Sequence, residues 1–501
     1  MGLITRADFG LQIGPFSGGI VRRPQGAFLP SVSAARVRRG DVYRTLRAAV
    51  LDGTLPPRVR LPSTRQAAAD YGVSRGMLEE VFAQLTEEGF LERAVGRGTY
   101  VASTVSRLSP SAKAKPGQRR SASRRGQRVA ANAACREPNL VRPFNAGTAD
   151  TSEFPWKIWQ RLQVRAAREL GQALLNFADP RGLPQLREAI GRYLAQFRGI
   201  RCSSEQVIIF NSAQQALHAL AVLLLDRGDA AWMEDPCYPG ARAAFELAGA
   251  GILASPVDDK GLRVGTRAPR STRTRLVYVT PSHQYPTGVA MNLERRIALL
   301  DWAARNHSWV VEDDYDGEFR SEGQALTALY SFDTQARVLY VGTLNKAMFP
   351  SLRLAYAVVP EELVERLANI RTQLDGFTAA AAQLGMALFM DEGYFSSHLR
   401  RMRVVYGAKL AMLMEGLAPL AALGWTLPRN PGGMHLLLSH GTGDYVRTVA
   451  AASSLELALL SSYRVARTSG DGLFLRFGAL DAASLRAGTA ELVATATQVK
   501  V

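Results

Sequence analysis

With 501 residues, 47% of them hydrophobic, and a mean hydropathy of −0.05, the chain has core material for more than one folded unit. No uninterrupted apolar run reaches the roughly 20 residues of a membrane helix, and a start carrying Arg6 and Asp8 lacks the apolar stretch of a secretory signal. The net charge of +17 is unevenly placed: residues 1–140 hold 23 Lys/Arg against 10 Asp/Glu, and the rest hold 38 against 34.

Such localised positive charge marks either a polyanion partner, nucleic acid above all, or a solvated basic face. Cys135, Cys202 and Cys237 form an odd, widely spaced set without metal-ligand spacing. That set argues against a disulfide framework and fits a reducing cytoplasm.

Residues 1–40 show no period and read as an irregular arm. From Asp41, Val42, Leu46, Val50 and Leu51 recur at helical spacing up to Asp52-Gly53. Ser63-Thr64-Arg65-Gln66 reads as a capping box opening a short helix that ends near Tyr71-Gly72. Ser74 caps a third helix through Leu78, Val81, Phe82 and Leu85 to a terminal Gly89. Phe90 to Arg93, a glycine-rich turn at Gly96-Arg97-Gly98, and Thr99 to Val101 read as a hairpin.

Helix, helix, short turn, helix and hairpin make a winged helix-turn-helix. Its third helix would enter a major groove with Ser74, Arg75 and Met77 leading, and Arg97 would ride on the wing tip. The run RLPSTRQAAADYGVSRGMLEEVFAQLTEEGFLERAVGRGTYVA, residues 60–102, resembles the DNA-binding signature of the GntR family. That resemblance implies DNA contacts at Arg65, Ser74, Arg75 and Gly96, with Arg60 and Arg97 as weaker expectations. The domain is placed at 41–102.

Periodicity stops over 103–140, where nine basic residues face the single acid Glu137 among Ser, Ala, Pro and Gly. This composition reads as a flexible linker, either a tether alone or one that adds salt-sensitive DNA affinity.

From 141 onward, short apolar strands alternate with helical stretches. Strands are expected at 206–210, 231–233, 276–279, 308–311, 338–341 and 352–359, forming a mostly parallel sheet flanked by helices. The last hundred residues read as a smaller α/β lobe, with strands near 433–436 and 473–477.

Several polar motifs fall at expected strand ends, where open α/β sheets bind ligands. Lys346 follows Tyr340 to Asn345, Glu312-Asp313-Asp314-Tyr315 ends one strand, and Glu234-Asp235-Pro236-Cys237-Tyr238 ends another. Asn211-Ser212-Ala213-Gln214 sits at a strand-to-helix turn whose free N–H groups favour an anion.

In this order and spacing the motifs resemble fold-type I aminotransferases, from about Arg142 to the end. The resemblance implies pyridoxal 5'-phosphate with Lys346 as its Schiff-base lysine and Asp313 as partner of its pyridine nitrogen, making the ring an electron sink. Tyr315 would reach the ring oxygen and Tyr238 would stack on the ring. Ser212, Ala213, Gln214, Thr343 and Arg353 would hold the phosphate, and His283 would lie close by. Arg476 matches the arginine that holds a substrate carboxylate, although Arg464 and Arg467 are near it in sequence.

Pro281-Ser282-His283-Gln284-Tyr285-Pro286-Thr287-Gly288 departs from many aminotransferases, which carry Asn where Tyr285 stands. That string, joined to the GntR-like segment, resembles the MocR subfamily of GntR transcriptional regulators over Asp41 to Val501. The fold class implied is multi-domain: an N-terminal winged helix-turn-helix (α+β) and a C-terminal α/β aminotransferase-like effector domain, 141–501. The resemblance further implies a double-stranded DNA operator, a small amino compound or the cofactor itself as effector, and a head-to-tail, domain-exchanged homodimer with no membrane association. Arg242 is a second expected effector contact, because Pro239 and Gly240 occupy the positions directly after Tyr238. The alternative is a working aminotransferase with an accessory DNA-binding domain, against which Tyr285 speaks. Cys237, beside Tyr238, is expected to be a buried, inert thiol.

Overall fold

The computed structural model describes residues 29–32, 37–94, 96–107, 122–130, 142–264, 274–319, 326–428, 431–466 and 469–499. It falls into two compact units, Met1–Ser121 and Ala122–Val501. Most of the expected N-terminal arm and much of the basic segment lie outside the described residues, as do Arg136, Cys135 and Arg467.

The first unit contains α1 (Arg39–Leu51), α2 (Thr64–Tyr71), α3 (Arg75–Glu87), β1 (Leu91–Ala94) and β2 (Gly98–Val101). Val42, Leu46 and Val50 of α1 bury one stripe against Ala67, Leu78, Val81, Phe82 and Leu85. Ser63 Oγ accepts from Gln66 N at 3.3 Å and Ser74 Oγ from Met77 N at 3.2 Å, so both expected caps form. The reciprocal bond from the Gln66 side chain is absent among the described hydrogen bonds, leaving a single cap in place of the full capping box. Gly72 ends α2 in the left-handed region, φ 63°, which sets the turn between α2 and α3. β1 and β2 pair antiparallel from Leu91↔Val101 to Ala94↔Gly98. The segment before α2 adds to this wing: Leu61 N donates to Thr99 O, and Val101 N to Val59 O, both at 2.9 Å.

One stretch of the basic segment departs from expectation. α4 (Arg124–Ala130) is helical where a structureless linker was anticipated. Ser123 Oγ accepts from Gly126 N at 3.1 Å, and Arg125 Nη1 donates to Leu247 O at 3.4 Å. A local cap and a docking surface thus supply what composition alone did not reveal.

The second unit continues with α5 (Trp156–Leu170), α6 (Pro184–Phe197), β3 (Val207–Phe210), α7 (Ala213–Leu224), β4 (Ala230–Asp235), α8 (Pro239–Ala248), β5 (Gly251–Asp258) and β6 (Gly261–Leu262). Next come β7 (Thr274–Val279), α9 (Leu293–Arg305), β8 (Trp309–Asp314), β9 (Val338–Thr343), β10 (Ala355–Val358), α10 (Glu361–Leu374), α11 (Ala380–Asp391) and α12 (Tyr394–Leu417). The small lobe holds β11 (His435–His440), α13 (Gly443–Ala452), β12 (Ala458–Leu459), β13 (Asp471–Arg476) and α14 (Ala482–Gln498).

The large sheet runs β3-β10-β9-β8-β7-β4-β5-β6. β9, β8, β7, β4 and β5 are mutually parallel, and only β10 and the two-residue β6 run against them. β3, β7, β8 and β9 are buried almost throughout, as a sheet covered on both faces requires. The expected strand at 352–359 starts later: Pro350–Leu352 is a 3-10 turn and Arg353 has φ 56°, so β10 opens at Ala355. β5, β6 and β12 were not foreseen, being partly exposed or only two residues long. In the small lobe β11 and β12 flank β13, all antiparallel.

The segment Tyr394–Leu423, containing α12, is long and apolar enough to cross a membrane by length and composition. Within it, Phe395, Leu399, Met402, Tyr406, Leu410, Leu413 and Leu417 form a buried stripe at helical spacing.

Candidate functional site

The topology gathers the expected site residues at one edge of the large sheet. Ala355 pairs with both Phe210 and Thr343, so Thr343, the last residue of β9, and Ser212, Arg353 and Lys346, just outside the strands, lie at the same end of β3, β10 and β9. β8 and β4 bring Asp313 and Asp235 to their own carboxyl ends, where such sheets bind ligands.

Asp313 is the centre of the electrostatics. It is 5% exposed, and the Tyr278 hydroxyl donates to its Oδ2 at 2.7 Å. Oδ1 is buried with no hydrogen-bond partner. Burial pushes this carboxyl up to about 7; the Tyr278 bond pulls the other way, and the charges of Asp314 and Asp316 reinforce the rise. A buried carboxylate with one unsatisfied oxygen and acidic neighbours suits a cationic N–H donor, which a protonated pyridine ring is.

Lys346, half-buried beyond β9, donates through Nζ to Gly147 O. Tyr315 Oη lies 3.1 Å from His283 Nδ1 and 3.4 Å from His435 Nε2. His283 Nδ1 in turn sits 2.9 Å from both carboxylate oxygens of the buried Asp316. Tyr285 packs edge-on to Tyr238, Tyr315, Tyr463 and Phe474, with ring centroids 5.3–5.7 Å apart.

At the turn between β3 and α7, Ser212 caps α7, with its Oγ accepting from Gln215 N at 3.1 Å. Ala213 and Gln214 open that helix, in the first turn whose N–H groups have no intrahelical acceptor. Gln214 Nε2 donates to Gly240 O at 2.8 Å, tying this turn to the one carrying Tyr238. A Cβ on Gly240 would stand 2.5 Å from the Tyr238 ring and 2.3 Å from Gln214 Oε1, so the tyrosine packs where only glycine fits. Arg353 is exposed with left-handed backbone, an uncommon conformation for a side-chain-bearing residue.

Arg476 at the end of β13 donates through Nη1 to Asn145 O at 2.8 Å and through Nη2 to the Tyr463 hydroxyl at 2.9 Å. Arg464 turns instead to Gly470 O at 3.0 Å. Arg242 lies on the first turn of α8, paired with Glu246 at 3.3 Å, and no contact among the described residues joins it to Arg476. Cys237 is buried, its thiol pushed up to about 12 by desolvation, in keeping with an inert role.

Sequence reasoning missed Asp316, His435, Tyr278, Tyr463 and the Asn145–Gly147 turn. Asp316 stands one residue past the acidic run that was singled out, and His435 is one of only six histidines, directly after Gly432-Gly433-Met434. Those two offered a signal; Tyr278, inside an apolar strand, offered none.

In the first unit Arg65, Ser74 and Arg75 are exposed at the N-terminal turns of α2 and α3, with Met77 half-buried. Gly96 and Arg97 are exposed in the wing turn, with φ 75° at Gly96. Arg75 pairs with Glu79 at 2.9 Å, and Arg97 O accepts from the Tyr100 hydroxyl at 2.9 Å. The Arg60 guanidinium lies beside Gly98 on this wing.

Comparison with known proteins is consistent across the chain. Residues 38–101 match the model of bacterial regulatory proteins of the gntR family, and residues 147–491 match aminotransferase class I and II. The chain is 36% identical to the probable rhizopine catabolism regulatory protein MocR of Rhizobium meliloti, over 89% of this chain and 91% of that one. It is 30% identical to the pyridoxine biosynthesis transcriptional regulator PdxR of Corynebacterium glutamicum, over 89% and 93%. Among solved structures it resembles the α-aminoadipate aminotransferase LysN of Thermus thermophilus, complexed with N-(5'-phosphopyridoxyl)-L-leucine. There the TM-score is 0.64 at 26% identity, covering 71% of this chain and 92% of that one.

Proposed function

The chain belongs to the MocR subfamily of GntR transcriptional regulators, and on that premise we propose that it binds pyridoxal 5'-phosphate at Lys346 and uses it to sense a small amino compound. When bound, the cofactor supplies an aldehyde for amine capture and an electron-withdrawing ring. Lys346 would present the amine that holds it, and Asp313 would accept from its ring nitrogen. Tyr315 would serve its ring oxygen and Tyr238 the face of its ring. Ser212, Ala213, Gln214, Thr343 and Arg353 would hold its phosphate.

The observation that carries this reading is Asp313: a buried carboxylate, one oxygen satisfied by Tyr278 and the other by nothing. In a structure without a function there, that atom would cost about 1–3 kcal/mol for no return.

Arg476 binds the effector's acidic group by exchanging its present acceptors, Asn145 O and Tyr463 Oη. Arg242 reaches it only if it leaves Glu246. The winged unit binds a double-stranded operator through Arg65, Ser74, Arg75, Met77, Gly96 and Arg97. Effector binding changes transcription to the extent that it binds two conformations of the large unit with different affinity.

The working form is a homodimer, exchanged head to tail through the basic segment. Trp156, at the head of α5, and Leu175 and Phe177, beyond its far end, are large apolar side chains exposed by 60%, 85% and 95%, which suits burial against a second copy.

The test is a visible absorbance spectrum of the protein with added pyridoxal phosphate, in wild type and Lys346→Ala. A shifted band in wild type that the variant loses supports the reading; no shift in wild type overturns its cofactor half. A second reading, a working aminotransferase, is favoured by the presence of Lys346, Asp313 and Arg476 together. Steady turnover of amino acid and keto acid without sequence-specific DNA binding would establish it instead.

A further inference from the structure

We propose that Asp316, through His283 and His435, fixes the direction of the Tyr315 hydrogen bond, so that the phenol serves as a donor whose proton alternates between His435 and the ring oxygen of the bound ligand. The inference rests on the functional reading above for the identity of that ligand and on the cluster's own geometry for the rest.

His283 Nδ1 lies 2.9 Å from both oxygens of Asp316. A bare ring nitrogen there would set its lone pair against a carboxylate, so the proton resides on Nδ1. Tyr315 Oη is 3.1 Å from the same nitrogen, which, with its proton turned to Asp316, has no lone pair to offer the phenol. Its own hydrogen must point elsewhere.

His435 supplies the alternative. Its Nδ1 is 3.8 Å from Asp316 Oδ2, which by the same polarity favours the proton on Nδ1. Its Nε2 then presents a lone pair to Tyr315 Oη at 3.4 Å. A hydrogen bond of that length is weak, so a closer acceptor takes the proton readily. The three rings are held in place: His283 and His435 lie 4.7 Å apart, and each stacks on Tyr315 at 5.9 Å.

Gly433 makes the arrangement sterically feasible. A Cβ there would stand 2.3 Å from Asp316 Oδ2 and 2.6 Å from His283 Cε1.

Burial and the acidic neighbours of the phenol act in the same sense. Desolvation above all, then Asp316, Asp313 and Asp314 on its own segment and Tyr285 from the segment after β7, disfavour a phenolate, so the proton stays on Tyr315. Burial above all, and then the charges of His283, Lys346 and Arg476, hold His435 well below its ordinary range, so it remains a neutral acceptor. Asp316, His283 and His435 are thus positioning residues for Tyr315 rather than groups that touch the ligand.

Two measurements on the full chain test this. The first uses cofactor-free protein with nitrogen-15-labelled histidine. Wild type is expected to show His283 and His435 in the Nδ1–H form, and Asp316→Asn to lose that fixed tautomer. An Nε2–H tautomer at either histidine in wild type overturns the inference. So does a stoichiometric metal ion held by His283, Asp316 and His435, which would occupy the nitrogens assigned here to protons.

The second measurement follows the visible band of pyridoxal phosphate-loaded protein against pH. Asp316→Asn and His435→Phe are expected to move its inflection by about one pH unit or more, in the direction of Tyr315→Phe, while keeping the band. A retained band with an unmoved inflection overturns the inference. Absence of the band in wild type overturns the functional reading instead and leaves the tautomer measurement decisive.

Discussion

The Tyr278 hydroxyl donates to Asp313 Oδ2 at 2.7 Å, and the other oxygen of that carboxylate has no donor. Asp313 is consequently raised to about 7, mainly by burial, so the folded chain without cofactor holds a proton that the unfolded chain releases near its ordinary value of 3.8. Stability from this group is complete below the unfolded value and is lost as pH rises through about 7. Asp313→Asn removes that loss while still accepting from Tyr278. The variant is expected to be more stable than wild type at pH 8, by about 1–3 kcal/mol in denaturant titration of cofactor-free protein, and to bind pyridoxal phosphate at least tenfold more weakly. A variant less stable at pH 8, or one with unchanged cofactor affinity, contradicts the role assigned to Asp313.

Gly433 combines φ 67° with the closest approach to the Asp316–His283 pair. Gly433→Ala must either displace that pair or adopt a strained backbone, at about 1–3 kcal/mol. Gly441, with nothing within 4 Å of an added Cβ, is the control. Thermal melts are expected to show Gly433→Ala well below wild type and Gly441→Ala beside it. Equal melts for the two variants would mean that the cluster is not tightly packed.

Much of this arrangement was legible in the chain because it is built from local signals. Ser63 and Ser74 cap the helices where their spacing to the next turn indicated. The apolar runs before Lys346, Asp313 and Asp235 became strands whose carboxyl ends meet. What was not legible depends on distant contacts. Arg353 breaks the run that reads as one strand from Leu352, and its left-handed backbone has no local sequence signature. α4 forms in a segment whose composition favours disorder because it docks on α8. Tyr278 and Asp313 are brought together by the parallel pairing of β7 with β8, which no local period encodes.

Below the site, Arg198 and Asp314 form an ion pair at 1% and 4% side-chain exposure, and Arg198 Nη2 also donates to Ser282 Oγ at 2.8 Å. Asp314 further accepts from the Tyr340 hydroxyl at 2.5 Å. Removing one member leaves a buried, uncompensated charge. Arg198→Met is expected to cost about 3–5 kcal/mol, and Asp314→Asn a comparable amount. The double variant should lose less than the two single losses together, because the second change removes the charge that the first left unpaired. Strict additivity in urea denaturation would show that the two residues act independently.

Arg75 and Arg97 are assigned to the operator, but their surroundings differ. Arg75 stands at the head of α3, paired with Glu79 on the next turn. Arg97 sits exposed in the wing between two glycines of positive φ, where backbone and guanidinium approach a phosphate without hindrance. A base contact and a phosphate contact separate by salt and by sequence. Arg97→Ala is expected to weaken specific and non-specific DNA binding alike and to reduce the slope of log affinity against log salt by about one. Arg75→Ala is expected to cost about 1–3 kcal/mol on the operator and much less on random DNA. Glu79→Ala, which frees Arg75, should tighten operator binding. Fluorescence anisotropy with operator and scrambled duplexes at several salt concentrations measures all three. Equal losses on both duplexes for Arg75→Ala would move that residue from base reading to backbone positioning.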